Sequence, residues 1–583
     1  MKFGGFQFEY WLGLVYPSLI LPAAQRVDQI LQGVMEVVAG QHIPQVDEGH
    51  GYEDPLDIPV PGLGGRSFQS WLLSFAIRQG GLGLTSQVEL SPVAFIGTLE
   101  QALPFFGGEK GVCPPLSHLV GGSPDTRYGP LVDSGCRTGR ELEAAWAGLV
   151  GEARSACLFL GRDLEGPLSV PVAGIGEGSV TGASRKLLTR AREELRLDVF
   201  EHAISLHRDR SARGISSWKE RDKLSSAFLL SNVGPRSGLS SPIFAEALAT
   251  LLSLPSRVCK DRLGERVGAS QVDRYGEKVI LANLPGGHWT SRHNAMEQEI
   301  ASLCAYAGLP AECEPFGLFG HLLPQQALHR LQQHQKKQVL RPDLRLEVPA
   351  IKVRLSASGV RVRPRRGPRA AGAAGAAGAP RAAVPAAPPA PLPINFSGSY
   401  IAEIKVIGKG AKDYYKMGTR AQRAVDKRAK EVPGDYRDKA ADMDTALGVQ
   451  GEGPCQRRLA ELPLMALCWG AYGEGSPDVH TLISLIATCR VRHLALQGRT
   501  PGPHQMGLEV STIRRRLSTA AVRAANTTLL TRMGQVGEGS SLAGKRRAWQ
   551  RMEERAMQLQ QEGDWLVTTT GREVVQRGRF WGR

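Results

Sequence analysis

The spacing of apolar residues changes character near the middle of the chain. In the first half, apolar positions recur every three to four residues, which is the period of an amphipathic helix. The segments with this period are 25–38, 138–160 and 184–206, with shorter helical pieces within 67–105 and 222–254. The first half is therefore predicted to be mostly α-helical.

From about residue 289 onward, strand and helix periods alternate. Asn294, with Glu297 three residues later, forms a capping box ahead of an apolar helix face, and Gly308 is placed to end that helix. Further helices are predicted at 316–331, 419–430 and 477–493, and strands at 343–348, 400–407 and 462–469. This order of elements predicts an α/β core.

Two of these strands are separated by a segment of unusual composition. Five arginines lie within 361–369, and 370–393 is almost wholly Ala, Gly and Pro. Such a composition can neither pack nor hold one conformation, so residues 350–398 are predicted to be a disordered insertion. Because the entropic cost of closing a loop grows only logarithmically with its length, the flanking strands can still pair directly.

Composition narrows the class of protein. The chain has 583 residues, enough for several domains, and carries 72 Lys and Arg against 56 Asp and Glu. This basic balance favours a polyanionic partner, DNA in the first place and RNA as the alternative. The odd count of nine cysteines, with no CxxC pair, argues for a reducing compartment, the nucleus or cytoplasm. No membrane span is expected, and the oligomeric state stays open.

Candidate chemistry lies at the strands on either side of the insertion. Pro342-Asp343 opens one strand, and Glu403 and Lys405 lie on one face of the other because side chains alternate along a strand. Hard cations such as Mg²⁺ prefer carboxylate oxygens, and a lysine can orient an attacking water. We therefore predict Asp343 and Glu403 as Mg²⁺ ligands and, with Lys405, as catalytic residues. The alternative is a Pro-Asp turn opener and a solvated strand face.

These residues resemble the PD-(D/E)xK signature of restriction-enzyme-like nucleases. Other segments resemble reverse-transcriptase open reading frames of non-LTR-type retroelements, namely 78–84 with 94–96, 224–230 with 244–248, 288–294, and 515–523. In that family, the module after the linker is an endonuclease that nicks target DNA to prime reverse transcription. The resemblance implies a post-palm, thumb-like region at 1–110, a helical linker with a degenerate zinc knuckle at 111–287, an endonuclease domain at 288–500, and a basic helical tail at 501–583.

The chain also departs from that family. The aromatic-x-Asp-Asp turn of the polymerase palm is absent, so the chain alone is not expected to polymerise. Cys259 stands alone, and Lys278 occupies the place expected for a knuckle histidine, so no zinc is expected. A helix before the first strand often supplies a third carboxylate to such nucleases. Glu297 and Glu299 are the candidates, and we interpret them as a helix cap and a surface residue.

Basic runs open two predicted helices near the carboxyl terminus. The residues predicted to bind nucleic acid are Arg514, Arg515, Arg516, Lys545, Arg546 and Arg547. Charged helix faces are also commonly just solvated. Two functions therefore stay open: a metal-dependent DNA endonuclease, or a catalytically inactive, nucleic-acid-binding remnant of a retroelement.

Overall fold

The protein is described here by a computed structural model. It describes residues 11–43, 67–106, 137–168 (apart from 165, 167), 183–206, 217–231 (apart from 219), 239–282, 288–335 (apart from 316), 339–353, 394–408, 423–534 and 554. Contacts divide the chain into two compact units. Unit 1 is Met1–Trp218 with Leu248–Arg257, and unit 2 is Lys219–Ala247 with Val258–Arg583. The division near residue 218 falls inside the linker predicted at 111–287.

Unit 1 is built from helices, which confirms the predicted α-helical first half for the described residues. The helices are α1 (Pro17–Ala39), α2 (Phe68–Ser74), α3 (Gln87–Phe106), α4 (Arg137–Phe159) and α5 (Ala183–Leu206). Aromatic rings of α2 and α5 pack together with Phe75 and Trp218. Neighbouring ring centroids lie 4.9–6.0 Å apart. Large apolar rings of this kind dominate the burial of a small helical unit.

The glycine-rich segment 78–84 folds back onto α2. The Leu82 amide donates to the Leu72 carbonyl at 2.9 Å, and the Gly83 amide donates to the Phe75 carbonyl at 2.7 Å. A Cβ on Gly81 would lie 2.2 Å from the Phe75 carbonyl oxygen, so no other residue fits there without moving the backbone. Gly81 is thus required because the turn passes close to the backbone at Phe75.

Unit 2 is a mixed α/β structure, as the sequence predicted at the level of fold class. Its helices are α6 (Ser241–Leu251, whose last turn belongs to unit 1), α7 (Glu277–Leu281), α8 (His288–Ala307), α9 (Gln325–Gln335), α10 (Ala424–Ala446), α11 (Pro454–Ala460), α12 (Pro477–Leu496) and α13 (Gln505–Met533). Its strands are β1 (Arg266–Val267), β2 (Ser270–Gln271), β3 (Ala311–Cys313), β4 (Leu344–Val353), β5 (Ile394–Val406) and β6 (Leu464–Trp469). Strands β1 and β2 form a small antiparallel pair.

The main sheet has the order β3-β4-β5-β6. Strands β3, β4 and β5 are antiparallel neighbours, and β6 runs parallel to β5. Alternate strand residues face opposite sides, which gives the sheet two cores. Helices α8, α12 and α13 pack on the first face, which includes Leu344, Leu346, Ala402 and Ile404. Helices α9, α10 and α11 pack on the second face, which includes Ile401, Ala466 and Cys468.

The structure corrects several predicted boundaries. The insertion predicted at 350–398 is too long, because Ile351, Lys352 and Val353 pair with Phe396, Asn395 and Ile394 in the sheet. Residues 354–393 lie outside the described part. The helix predicted at 316–331 begins only at Gln325, and the one predicted at 419–430 spans Ala424–Ala446.

Helix α13, expected as the start of a basic tail, belongs to the core of unit 2. Its residues Ile513 and Leu517 are fully buried against α8 and α12. The rest of the predicted tail, from residue 535, lies outside the described residues apart from residue 554. No helix in the described part of the chain combines the length and apolarity that a bilayer span requires.

Candidate active site

The two halves of the predicted nuclease motif lie side by side in the sheet. Leu344 of β4 pairs with Ala402 of β5, and the Asp343 amide donates to the Ala402 carbonyl at 3.1 Å. Continuing this antiparallel register places Asp343 opposite Glu403. Glu403 faces the side of the sheet covered by α10, where Tyr436 bonds to it, whereas Asp343, just before β4, reaches His293 of α8. The predicted pairing of these strands across the insertion is confirmed.

Glu403 is held by two side-chain donors. The Lys405 ammonium, two residues along β5, donates to Oε1, and the Tyr436 hydroxyl, from α10, donates to Oε2. Glu403 is only 6% exposed, whereas the Lys405 side chain is 33% exposed. The carboxylate is therefore fixed inside the protein, and the lysine reaches it from the surface.

Both oxygens of Asp343 also have partners. Its Oδ2 accepts a hydrogen bond from the Ile404 amide at 2.5 Å, and its Oδ1 lies 3.1 Å from Nε2 of His293, on α8. The first bond ties Asp343 to the backbone beside Glu403. The second contact links Asp343 to helix α8.

His293 is influenced by several carboxylates. Burial alone would lower the pKa of His293, but the bond to Asp343 and the negative charges of Asp343, Glu297 and Glu403 outweigh burial and raise it. His293 and Glu297 are four residues apart, so they lie on the same side of α8. The first half of this helix therefore contributes two ionisable groups to the site.

Glu297 is the acid that the sequence interpretation misplaced. Helix α8 begins at His288, six residues before Asn294, so the predicted capping box does not exist. Glu297 is instead 6% exposed, and its Oε1 has no hydrogen-bond partner within the described structure. Burial, with the charges of Glu314 and Asp343 added, raises the pKa of Glu297 to about 7 although His293 opposes the shift.

Glu299 does not belong to this site. Its carboxylate accepts a hydrogen bond from Arg516 Nε at 2.7 Å, which joins α8 to α13. Of the two acids that the sequence offered as a third carboxylate, only Glu297 is near Asp343. The i, i+4 spacing of His293 and Glu297 is the sequence signal that could have identified Glu297 as a site residue. The capping-box interpretation gave Glu297 a different role.

The donor set suits a hard cation. Carboxylate oxygens of Asp343 and Glu403 are the kind of ligand that Mg²⁺ takes, and the unpaired oxygen of Glu297 supplies a further acceptor. The described residues contain no group of three or more His, Cys, Asp or Glu that could hold a metal ion. Both oxygens of Asp343 and of Glu403 are occupied by protein donors. An incoming cation would have to displace the partly exposed Lys405.

Comparison with known proteins gives no family. No protein-family model matches the sequence, and a search among curated proteins finds no match. Any proposal of function therefore depends on the geometry of the site.

The predicted nucleic-acid-binding arginines of α13 differ in their surroundings. Arg515 is exposed and Arg514 is half-buried. Arg516 is engaged within the protein, donating to Glu299 and to Ser302. Residues 545–547 lie outside the described part. Among the predicted α13 arginines, Arg515 is thus the best placed to meet a ligand.

Cys259, considered for a zinc knuckle, is fully buried in unit 2. Its Sγ lies 3.7 Å from Sδ of Met533, in an apolar cluster that includes Val267, Val279 and Leu529. A thiol in such surroundings behaves as a small hydrophobic residue.

Proposed function

We propose that this chain is a retroelement-derived, metal-dependent endonuclease-like protein that nicks a phosphodiester bond of DNA. Asp343 and Glu403 are assigned as Mg²⁺ ligands, and Lys405 is assigned to position the attacking water. The observation that carries the proposal is the register of β4 and β5, which sets Asp343 opposite Glu403 with Lys405 bonded to Glu403. The resemblance of the surrounding segments to retroelement reading frames supports the choice of DNA.

Each side chain has a role that follows from its contacts. Asp343 and Glu403 would hold Mg²⁺, and the chemistry that the ion would supply is neutralisation of charge on the phosphate and activation of a water. Lys405, released from Glu403, can donate to that water or to a phosphate oxygen. His293 holds Asp343 in place through Oδ1. Glu297 adds a third acid, itself buried, whose pKa is influenced by Asp343.

The second candidate is a nucleic-acid-binding protein without catalysis. It is favoured by the internal pairing of the acids, since Lys405, Tyr436, His293 and the Ile404 amide already satisfy both carboxylates. In that case exposed basic residues such as Arg515 bind phosphates without sequence preference, and affinity falls steeply with salt.

Nicking of supercoiled plasmid DNA tests the proposal. The full chain is incubated with plasmid in Mg²⁺ or in EDTA, and relaxed circles are counted over time. We expect nicking that requires Mg²⁺ and that Asp343→Asn removes, because this substitution keeps the shape of the side chain but deletes the charge that binds the cation.

Glu347→Gln is the matched control. Glu347 lies on β4 four residues beyond Asp343, where it pairs with Arg345 and Ser399 outside the site. We expect this variant to nick as the wild type does. Equal activity of Asp343→Asn and the wild type, or no activity in either, would leave only the binding function.

A further inference from the structure

We propose that Tyr436 is the positioning residue for Glu403, fixing the carboxylate in the orientation that receives a divalent cation. This inference rests on the metal site of the proposed function. It assigns a role to a helix outside both halves of the sequence motif, because Tyr436 lies on α10, 33 residues after Glu403.

The packing of Tyr436 leaves its hydroxyl little choice of partner. The side chain is 1% exposed, and the ring is buried in the second core with Val432, Ala440 and Met443 from its own helix. Its hydroxyl donates to Glu403 Oε2. A tyrosine hydroxyl usually finds a hydrogen-bond partner when it is buried, and here that partner is a carboxylate.

The bond works in one direction only. The Tyr436 hydroxyl carries the proton, and the Glu403 oxygen accepts it. A hydrogen bond to an ionised group is stronger than one between neutral groups.

The two donors of Glu403 differ in how easily they can leave. Lys405 is one-third exposed and sits on a flexible four-carbon stem, so a cation can replace it at Oε1. Tyr436 is buried in a packed core and cannot move away without opening that core. When the lysine leaves, the tyrosine still holds Oε2 and keeps the carboxylate from rotating.

Mn²⁺ binding to the full chain, followed by electron paramagnetic resonance without DNA, tests this role. Tyr436→Phe removes one oxygen atom and keeps the ring. We expect it to weaken Mn²⁺ binding about tenfold or more, the loss that corresponds to a hydrogen bond to a charged group.

Tyr306→Phe is the matched control. The Tyr306 hydroxyl also donates to a buried carboxylate of unit 2, that of Glu509, at 3.0 Å, but on the first face of the sheet. A merely structural effect predicts similar changes for the two variants. The positioning role predicts weaker Mn²⁺ binding for Tyr436→Phe and unchanged binding for Tyr306→Phe, with both melting temperatures recorded.

A double-mutant cycle with Glu403→Gln keeps the test decisive if Tyr436→Phe is destabilised. Without the Glu403 charge, we expect Tyr436→Phe to have no further effect on Mn²⁺ binding. The inference is overturned if the wild type binds no Mn²⁺, if Tyr436→Phe binds as the wild type does, or if the two substitutions act additively. Mn²⁺ binding that depends on Tyr436, in a protein that never nicks plasmid, would refute the proposed nuclease and leave the positioning role intact.

Discussion

Several acidic side chains of unit 2 are buried. Glu403 and Glu297 are each 6% exposed, and Glu220 is 9% exposed. Only the first of these could be assigned from the sequence, because the strand alternation around Glu403 and Lys405 is visible in the residues themselves. Tyr436 and Glu297 lie on the buried sides of helices, and nothing in their local spacing separates a core residue from a site residue.

Glu220 allows a test of how burial acts on one acid. Its Oε2 accepts a hydrogen bond from the Ala424 amide at 3.0 Å, at the start of α10. Burial, followed by the charge of the fully buried Glu474, raises the pKa of Glu220 to about 8 from an ordinary value of 4.5. Folding therefore favours the protonated acid, so this contribution is complete below about pH 4.5 and is lost as pH rises through about 8.

Glu220→Gln should consequently make the protein more stable at pH 9 than the wild type, by an amount that shrinks towards pH 5. The amide is neutral at every pH and can still accept the bond from Ala424. Urea unfolding midpoints at pH 5, 7 and 9 measure the effect. Glu312→Gln, at an exposed position of β3, is the control. A difference between Glu220→Gln and the wild type that does not change with pH would show that the raised pKa plays no part.

For the individual elements, the sequence predicted whether a segment is helix or strand more accurately than it predicted where the element begins and ends. The strand β6 and the helix α12 follow the predicted segments closely, because continuous apolar runs and a helical apolar face each identify one kind of element. The extensions of β4 and β5 into the predicted insertion were missed because their ends are stabilised by pairing with each other. Helix α13 was read as a tail because its sequence shows an apolar face but not the helices that cover it.

Arg515 and Arg516 of α13 separate nucleic-acid binding from folding. Arg516→Ala should lower the free energy of unfolding by about 1 kcal/mol, because a partly exposed ion pair with Glu299 is lost. Arg515→Ala should leave stability unchanged and weaken binding to DNA, with a smaller dependence of affinity on salt. Thermal melts and fluorescence anisotropy at two salt concentrations measure both. The assignment fails if Arg516→Ala weakens binding while its stability is unchanged.

Over the whole of unit 2, the packing around the main sheet includes a segment that lies far ahead of the sheet's strands in the sequence. This segment, residues 220–231, is called the strap. Leu224 of the strap is fully buried in the first core, and Asp222 accepts hydrogen bonds from Arg423 at 3.1 Å and the Gly475 amide at 3.0 Å. His480 Nε2 also lies 2.9 Å from Asp222.

The Asp222 carboxylate is charged despite complete burial. Burial alone would raise the pKa of Asp222, but the bond with His480 and the charges of His480 and Arg423 hold the pKa well below its ordinary value. No sequence pattern joins residue 222 to residues 423 and 480, because the contact exists only in the folded chain. The predicted domain start at 288 therefore omits a segment that the core needs.

Truncation tests the strap. A fragment of residues 217–534 should fold and melt cooperatively, whereas 288–534 should not. The shorter fragment leaves Arg423 and His480 buried without Asp222, opens the space that Leu224 fills, and also loses the cluster around Val279 that covers Leu529 of α13. Circular dichroism melts of the two fragments make the comparison. Equal melting temperatures would show that the strap is dispensable.

Asp343 and Glu403 are proposed to form a cation-dependent site that cuts DNA. The most direct measurement is the plasmid-nicking rate in Mg²⁺ of Asp343→Asn relative to Glu347→Gln. Each substitution removes one carboxylate charge, the first just before β4 and the second four residues later within it. We predict that Glu347→Gln nicks at the wild-type rate and that Asp343→Asn is slower by about a hundredfold or more. Equal rates for the two variants would contradict the account.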